Sequence, residues 1–356
     1  MKVIRTILLI LNIILALGLV LTTLAGSLPP SRMLLPSVLA YGYLPLLAAN
    51  LLMIVIWLLM HRWTWLLSAA VIVLRWSTLG FFLQVHMPHS TADTEVQQFS
   101  LMTYNVHQFQ GPQNHSEQSD SIAKGFLNLI DKHNPDVLCL QEYAAPKTLA
   151  LTDSLVLMGY NHYYGAHTSR NGLPYGTVVF SRMPITYVNR IDSEKILVEL
   201  AINDQETVQR LRLCCVHMDS YRFNDADREE LERMRRGEVQ ETSRQTIDKI
   251  KETILSHEKE WTEHLKPVVT ASTVPLILAG DMNDIPGSWL YRQIDKEMED
   301  AFCHRGLGMS HTYNGGFPQV RIDMVFHNEQ VSTLGYRRIK SDLSDHYPVL
   351  TTLRLN

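Results

Sequence analysis

Residues 275–284 read PLILAGDMND. A short apolar run bounded by Pro275 and Gly280 is the pattern of a buried strand. Asp281 and Asn283 follow directly at its C-terminal end. In layered sheets, residues at strand ends project into a shared crevice, so this placement suits a site of chemistry. The same grammar recurs on both sides. LMTYNVH (101–107) brings Asn105 to a strand end, and DVLCLQE (136–142) brings Glu142. LRLCCVHMDS (211–220) brings His217 and Asp219, and RIDMVF (321–326) carries Asp323. SDHYPV (344–349) places Asp345 and His346 near the C-terminus. Thr177–Ser181 is a further strand-like run. Between these runs lie helical patterns. Ile122, Phe126, Leu129 and Ile130 share one helical face within 120–132. Segment 225–265 is long and charged, with a break expected near Gly237 and its charges on a solvated face. Strands mixed with helices predict an α/β or α+β layered domain over residues 98–356.

The N-terminal third is a different material. Residues 1–97 carry only Lys2, Arg5, Arg32, Arg62, Arg75, Asp93 and Glu95 as charges, which leaves 27 basic and 34 acidic residues for the rest. That asymmetry excludes a uniformly soluble enzyme and a disordered chain. Apolar runs cover about 3–25, 38–60 and 64–86, each long enough for a hydrocarbon core of about 30 Å at about 1.5 Å per helical residue. Residues 1–87 are therefore expected to be a membrane anchor of three transmembrane helices; a cleaved signal peptide is the alternative reading of the first run. The polar stretch 88–97 reads as a linker. Lys2, Arg5 and Arg62 flank one side of the spans and Arg32 the other, which predicts a cytoplasmic N-terminus and an extracytoplasmic domain. The expected location is a multi-pass cell-membrane protein. Arg75 falls mid-span and is expected to pack within the bundle or to meet a lipid headgroup.

The acidic balance of residues 98–356 argues against a dedicated polyanion binder, because counterion release needs many Lys and Arg contacts. The four cysteines, Cys139, Cys214, Cys215 and Cys303, have no zinc-like spacing. Cys214 and Cys215 would point to opposite faces of a strand, so no obligatory disulfide is expected.

Taken singly, each strand-end residue has a structural explanation as a turn or cap. Together, the segments TYNVH, DVLCLQE, GTVVFSRMPI, VHMDS, AGDMND, RIDMVF and SDHYPV resemble the endonuclease/exonuclease/phosphatase superfamily, in that family's order and over essentially all of 98–356. The resemblance implies a four-layer α/β sandwich, two packed mixed β-sheets with outer helices, and a phosphoesterase that depends on a divalent metal. Phosphoester cleavage needs neutralised nonbridging oxygens and an activated in-line water, and hard oxygen ligands suit Mg²⁺ or Mn²⁺. By resemblance, Glu142 is the main metal ligand, with Asn105 and Asp345 nearby. Asp281 would orient or deprotonate the attacking water, and Asn283 would hold a phosphate oxygen. His346, polarised by Asp323, would stabilise developing charge. His217 matches a phosphate-contacting or leaving-group-side histidine. Many members carry an acid two positions after the motif Asn; here it is His107, which weakens a two-metal reading and leaves His107 as a candidate for phosphate binding or for packing at the rim. Arg222 is a candidate for meeting an anionic substrate, with a surface ion pair as the alternative. Arg321 is a weaker candidate of the same kind.

The expected partners are the lipid bilayer and a phosphorylated substrate near its surface. No obligate protein partner is expected. A linker of about ten residues reaches at most about 35 Å, so nucleic acid is disfavoured. The organisation is similar to that of membrane-anchored teicoplanin-resistance proteins, which implies a phosphoester or pyrophosphate in a lipid headgroup. The alternatives are an extracytoplasmic nuclease and a non-catalytic module that binds phospholipid or protein.

Overall fold

The structure is a computed structural model that describes residues 2–86, 98–112, 118–144, 150–165, 168–170, 173–204, 207–238, 244–316 and 318–356. The expected linker, 88–97, lies outside the described residues.

Two mixed sheets face each other. In the first, the strand order is Val331–Arg338, Val349–Leu355, Gln98–Asn105, Val137–Tyr143, Leu173–Ser181 and His162–Gly165, with Thr168–Arg170 also on Leu173–Ser181. In the second it is Glu299–Asp300, Asp323–His327, Leu276–Asp281, Thr207–His217, Lys195–Asp204 and Ile185–Arg190. Gln98–Asn105 runs parallel to Val137–Tyr143, and Leu276–Asp281 parallel to Thr207–His217, so their C-terminal ends gather at one edge.

Side-chain alternation explains the layering. Val137 and Cys139 point into the core between the sheets while Leu138 and Leu140 point outward. Leu213 and Cys215 point inward while Cys214 and Val216 point outward. The two cysteines therefore do face opposite ways, and all four cysteines are free. Outside the first sheet, helix Ser119–His133 covers Tyr104, Leu138 and Phe180 with Ile122, Phe126 and Ile130. Outside the second, Trp261, Leu265, Trp289 and Tyr291 cover Cys214, Leu278 and Phe326. The charged segment forms helices Asp225–Arg235 and Arg244–Lys259, continuing through a π-helical turn at Glu260–Leu265 into Lys266–Thr270.

The N-terminal third departs from three straight spans. Among the described residues, only Lys2–Gly26 is a helix long and apolar enough to cross a membrane by itself. The second run is two helices, Leu34–Tyr41 and Tyr43–Leu59, bent by 71° at Gly42. The third run stops as a helix after Trp65–Leu74, because the chain turns at Arg75 and only a short helix, Trp76–Leu79, follows. Both interruptions arise where the bundle meets the layered domain. Beyond Arg75, Phe81 packs on Tyr291 at 4.9 Å between ring centroids, and Phe82 stacks on Tyr43 at 5.2 Å. Arg75 is buried at this junction rather than in the middle of a span. Inside the bundle, the Ser68 hydroxyl lies 2.6 Å from Asn12 Oδ1 and 2.9 Å from Asn50 Oδ1, a polar clasp between helices in an otherwise apolar interior.

The bundle docks directly on the layered domain. Ser31 donates to both carboxylate oxygens of Glu258 at 2.7 Å through its backbone N–H and its hydroxyl. Gln293 and Lys296 donate to the Gly26 carbonyl at 2.9 and 2.8 Å, and Arg292 donates to the Thr78 hydroxyl at 2.8 Å.

Candidate active site

At the gathered strand ends, Asn105 is the hub. Its amide nitrogen donates to Glu142 Oε1 at 3.2 Å and to Asp281 Oδ2 at 3.1 Å, so one buried side chain ties the two sheets together. Its Oδ1 accepts from the His107 backbone N–H at 3.0 Å. The Ser344 hydroxyl donates to the Asn105 carbonyl at 2.8 Å, which draws in the loop of Asp345 and His346. Glu142 sits at φ +50°, where its strand slips register against Leu173–Ser181. Such a left-handed residue inside a strand costs of order 1–3 kcal/mol and clusters at functional sites.

Asp281 pairs in register with Asp323 on one side and with His217 on the other. Gly280 makes this possible. It has φ +150°, and a Cβ there would lie 1.9 Å from the Val216 carbonyl oxygen. Asp281 Oδ1 accepts from the Asn283 N–H at 2.9 Å, and Asn283 in turn donates its side-chain amide to the Met218 carbonyl at 2.9 Å. Burial and the neighbouring Asp323 push the Asp281 carboxyl up to about 6, against the pull of His346 and His217.

Two histidines face Asp281. His346 Nδ1 lies 2.8 Å from Asp323 Oδ2, which fixes the ring and aims Nε2 at Asp281 Oδ2, 3.8 Å away. Burial opposes its protonation, but Asp323 and Asp281 outweigh that and hold the imidazole well above its ordinary range. His217 repeats the arrangement with Glu194. Its Nδ1 lies 3.3 Å from Glu194 Oε2, and its Nε2 is 3.8 Å from Glu142 Oε1 and 3.9 Å from Asp281 Oδ2. Against burial, Glu194, Asp281 and Glu142 raise His217 to about 9. His217 Nε2 and Asp323 Oδ1 are buried and have no hydrogen-bond partner. Burial pushes Glu142 up, yet His217, His107 and the Asn105 bond bring it below the usual carboxylate range.

The donor set fits a hard divalent cation. Carboxylates converge on a buried crevice, and two polar atoms aimed at it lack protein partners. Ligand atoms of Asp281, Asp323 and His346 lie within 4.8 Å of one another. His346 and Asp323 already satisfy each other there, so this trio resembles an acid beside an oriented histidine. Glu142 keeps a partly exposed carboxylate, and His107 interacts with both Glu142 and Asp345, its Nδ1 lying 3.4 Å from Asp345 Oδ1.

Eight of the ten expected site residues thus gather directly: Asn105, His107, Glu142, His217, Asp281, Asn283, Asp323 and His346, with Asp345 joined through His107 and Ser344. Arg222 does not join them. Its side chain is 80% exposed and pairs loosely with Asp219 at 3.9 Å. Arg321 turns away as well, buried against Asp300 at 2.7 Å and over the Phe302 ring at 4.4 Å. Glu194, Thr312 and Tyr41 escaped the sequence reading. The Thr312 hydroxyl accepts from the backbone N–H groups of Ile322 and Asp323 at 3.0 Å, which seats Asp323. Tyr41, from the bundle, donates to Asp284 Oδ1 at 2.5 Å and lies 2.5 Å from the Tyr221 hydroxyl.

The family model described as Endonuclease/Exonuclease/phosphatase family matches residues 102–232 and 258–346. The chain belongs to this family. Its members are hydrolases of phosphoester bonds. A second model, a domain of unknown function, matches residues 5–82, almost all of the bundle. No curated protein matches the chain significantly. Among solved structures, an endonuclease/exonuclease/phosphatase from Beutenbergia cavernae is 18% identical, with 73% of this chain and 72% of that one covered at a TM-score of 0.49. One from Bacteroides vulgatus is 16% identical, with 73% and 100% covered at 0.48. The human Nocturnin catalytic domain with bound sulfate is 13% identical, with 73% and 95% covered at 0.48.

Proposed function

We propose that the chain is a membrane-anchored phosphoesterase that depends on a divalent metal and acts on a phosphorylated substrate at the bilayer surface. The observation that carries this is the convergence of Asn105, Glu142, Asp281 and the Asp323–His346 pair on one buried crevice. Binding alone needs no such acid–histidine set. Glu142 would hold the cation, Mg²⁺ or Mn²⁺, with Asn105 and Asp345 beside it. When bound, the ion supplies charge neutralisation at the phosphoryl oxygens. Asp281, held by Asn105 and the Asn283 N–H, orients the attacking water and takes its proton. His346, oriented by Asp323, and His217, oriented by Glu194, present Nε2 atoms that stabilise charge on phosphoryl oxygens. Asn283 donates one hydrogen of its side-chain amide to the Met218 carbonyl, which leaves the other to donate to a phosphate oxygen.

The anchor reading rests on exposure. Val3, Ile4, Ile7, Ile10, Ile14 and Leu17 are exposed along the first helix, a larger apolar face than water-soluble surfaces tolerate. The ends of the bundle that touch the layered domain are Gly26–Tyr41 and Arg75–Val85, so Lys2, Arg5 and Arg62 lie at the opposite end. By the bias of basic residues toward the cytoplasm, the domain faces outward.

Glu142→Gln and His346→Ala should each lower metal-dependent hydrolysis of an aryl phosphodiester by at least about 100-fold. Near-normal turnover in either purified variant overturns the site. A periplasmic-type reporter fused after Asn356 should be active only outside the cytoplasm, and cytoplasmic activity overturns the orientation.

A further inference from the structure

A cavity of about 670 Å³ opens at the free edge of strand Val331–Arg338, against the segment 305–311. Among the described residues that line it, none is acidic, although residues 98–356 as a whole carry more acids than bases. Arg305, Arg337 and Arg338 supply its charge, with His86 and His311 beside them. None of the three arginines pairs with a carboxylate among the described residues. Arg305 donates to the His304 carbonyl, Arg337 lies 3.1 Å from His133 Nδ1, and Arg338 donates to the His311 carbonyl at 2.9 Å. Uncompensated guanidinium groups around a concave surface are a phosphate site in waiting.

The position narrows the ligand. At one end the cavity nears the active site, although none of the crevice residues is among the described residues that line it. The His311 ring lies 5.9 Å from that of Tyr347, the residue after His346, and Arg338 sits 5.0 Å over Tyr347. Two residues beyond His311, the Tyr313 ring lies edge-on to His346 at 5.3 Å. At the other end it reaches the bundle, where Gln84 and Val85 pair with Gly308 and Leu307, and His86 donates its N–H to the Gly306 carbonyl. There the rim is apolar and open: Val85, Leu307 and Met309 are 82%, 60% and 51% exposed. Basic walls and an apolar rim beside the bundle match an amphiphile with a phosphate at one end.

We propose that this groove seats the phosphate headgroup of an anionic lipid, with its apolar chain leaving over Leu307 and Met309 toward the bilayer. The proposal rests on the anchored phosphoesterase reading and gives that protein a lipid-binding groove beside its crevice.

The test measures binding, not turnover. The full chain in zwitterionic detergent, with Asp281→Asn and EDTA to remove catalysis, is titrated calorimetrically. The titrants are short-chain phosphatidic acid, the matching phosphatidylcholine, inorganic phosphate and a single-stranded oligonucleotide. The short-chain phosphatidic acid should bind tightest, and R305A with R338A should weaken it about tenfold or more, the loss expected of charge-assisted contacts. R305A alone, at an exposed position, serves if the R338A variant does not fold. Equal binding by the double variant overturns the proposal. So does inorganic phosphate binding as tightly as the lipid, or the oligonucleotide displacing it. Failure of the phosphoesterase reading would show separately, as absent hydrolysis by the wild type with Mn²⁺.

Discussion

Replacing Tyr41 by Phe removes one oxygen atom from the bundle and tests whether the bundle is part of the catalytic unit. That hydroxyl donates to Asp284 Oδ1 at 2.5 Å and lies 2.5 Å from the Tyr221 hydroxyl. Asp284 is buried and directly follows Asn283, in the loop that also hydrogen-bonds Asp281. Its remaining contacts are the Ile285 N–H at 2.8 Å to the same oxygen and His257 Nδ1 at 3.4 Å to the other, the latter a weak bond by length. A hydrogen bond to a charged group contributes about 1.5–3 kcal/mol. The variant leaves a buried carboxylate short of a donor and Tyr221 short of an acceptor, so the whole of that range is at stake. If the bond holds the Asp281–Asp284 loop in its working geometry, kcat for an aryl phosphodiester falls about tenfold to a hundredfold, since each 1.4 kcal/mol is a factor of ten. KM changes little, because no substrate contact is lost. A melting temperature that falls with kcat unchanged would mean that Tyr41 only docks the bundle. Unchanged kcat and unchanged melting together would refute the coupling altogether.

Two further predictions concern stability. Gly280→Ala sets a Cβ 1.9 Å from the Val216 oxygen at φ +150°, and overpacking plus backbone strain should cost about 3–5 kcal/mol in the denaturant midpoint; wild-type stability would refute the close approach. His257 is buried, and although burial disfavours its charge, Asp284 and Glu260 raise its pKa in the fold. A raised folded value stabilises the fold fully below the unfolded value of about 6.5 and is lost as pH rises through the folded value. His257→Gln should therefore lower the melting temperature more in mildly acidic than in alkaline buffer, and an equal loss at both would count against the ion pair.

The layered fold and the centre of its site were legible because both follow from local rules. Period-two alternation gave the strands, and Asn105, Glu142, His217, Asp281 and Asp323 stand at strand ends or one residue inside them. The rest depends on contacts between segments far apart in sequence, which periodicity does not encode. Glu194 lies in the turn before Lys195–Asp204 and matters only through His217. Arg321 stands two residues before Asp323, and alternation would give them one face. The strand begins only at Asp323, however, so the rule does not reach Arg321, and Asp300 captures it. Apolar runs specify insertion or burial but not straightness, so the second and third runs read as spans and fold as broken helices.

The breaks in those runs have a common cause that ties the bundle to the crevice. Tyr41 and Tyr43 flank the 71° bend at Gly42. Tyr41 reaches Asp284 in the layered domain, while Tyr43 stacks on Phe82 and donates to the Arg75 carbonyl inside the bundle. On one straight helix, residues two apart point about 200° from each other at nearly the same height. Tyr41 and Tyr43 would then serve opposite sides of one cylinder, and only one could face the junction. The bend redirects the first helix across the domain surface, so that both side chains serve the junction from its two sides. The turn at Arg75 does the same for the third run, sending Phe81 onto Tyr291 and Phe82 onto Tyr43. Both breaks thus spend apolar helix length on contact with the layered domain. A flexible tether would need neither of them. The loop Asp281–Asp284 is instead braced by the bundle itself, and under the proposed anchoring this fixes the crevice at a set height and orientation over the bilayer.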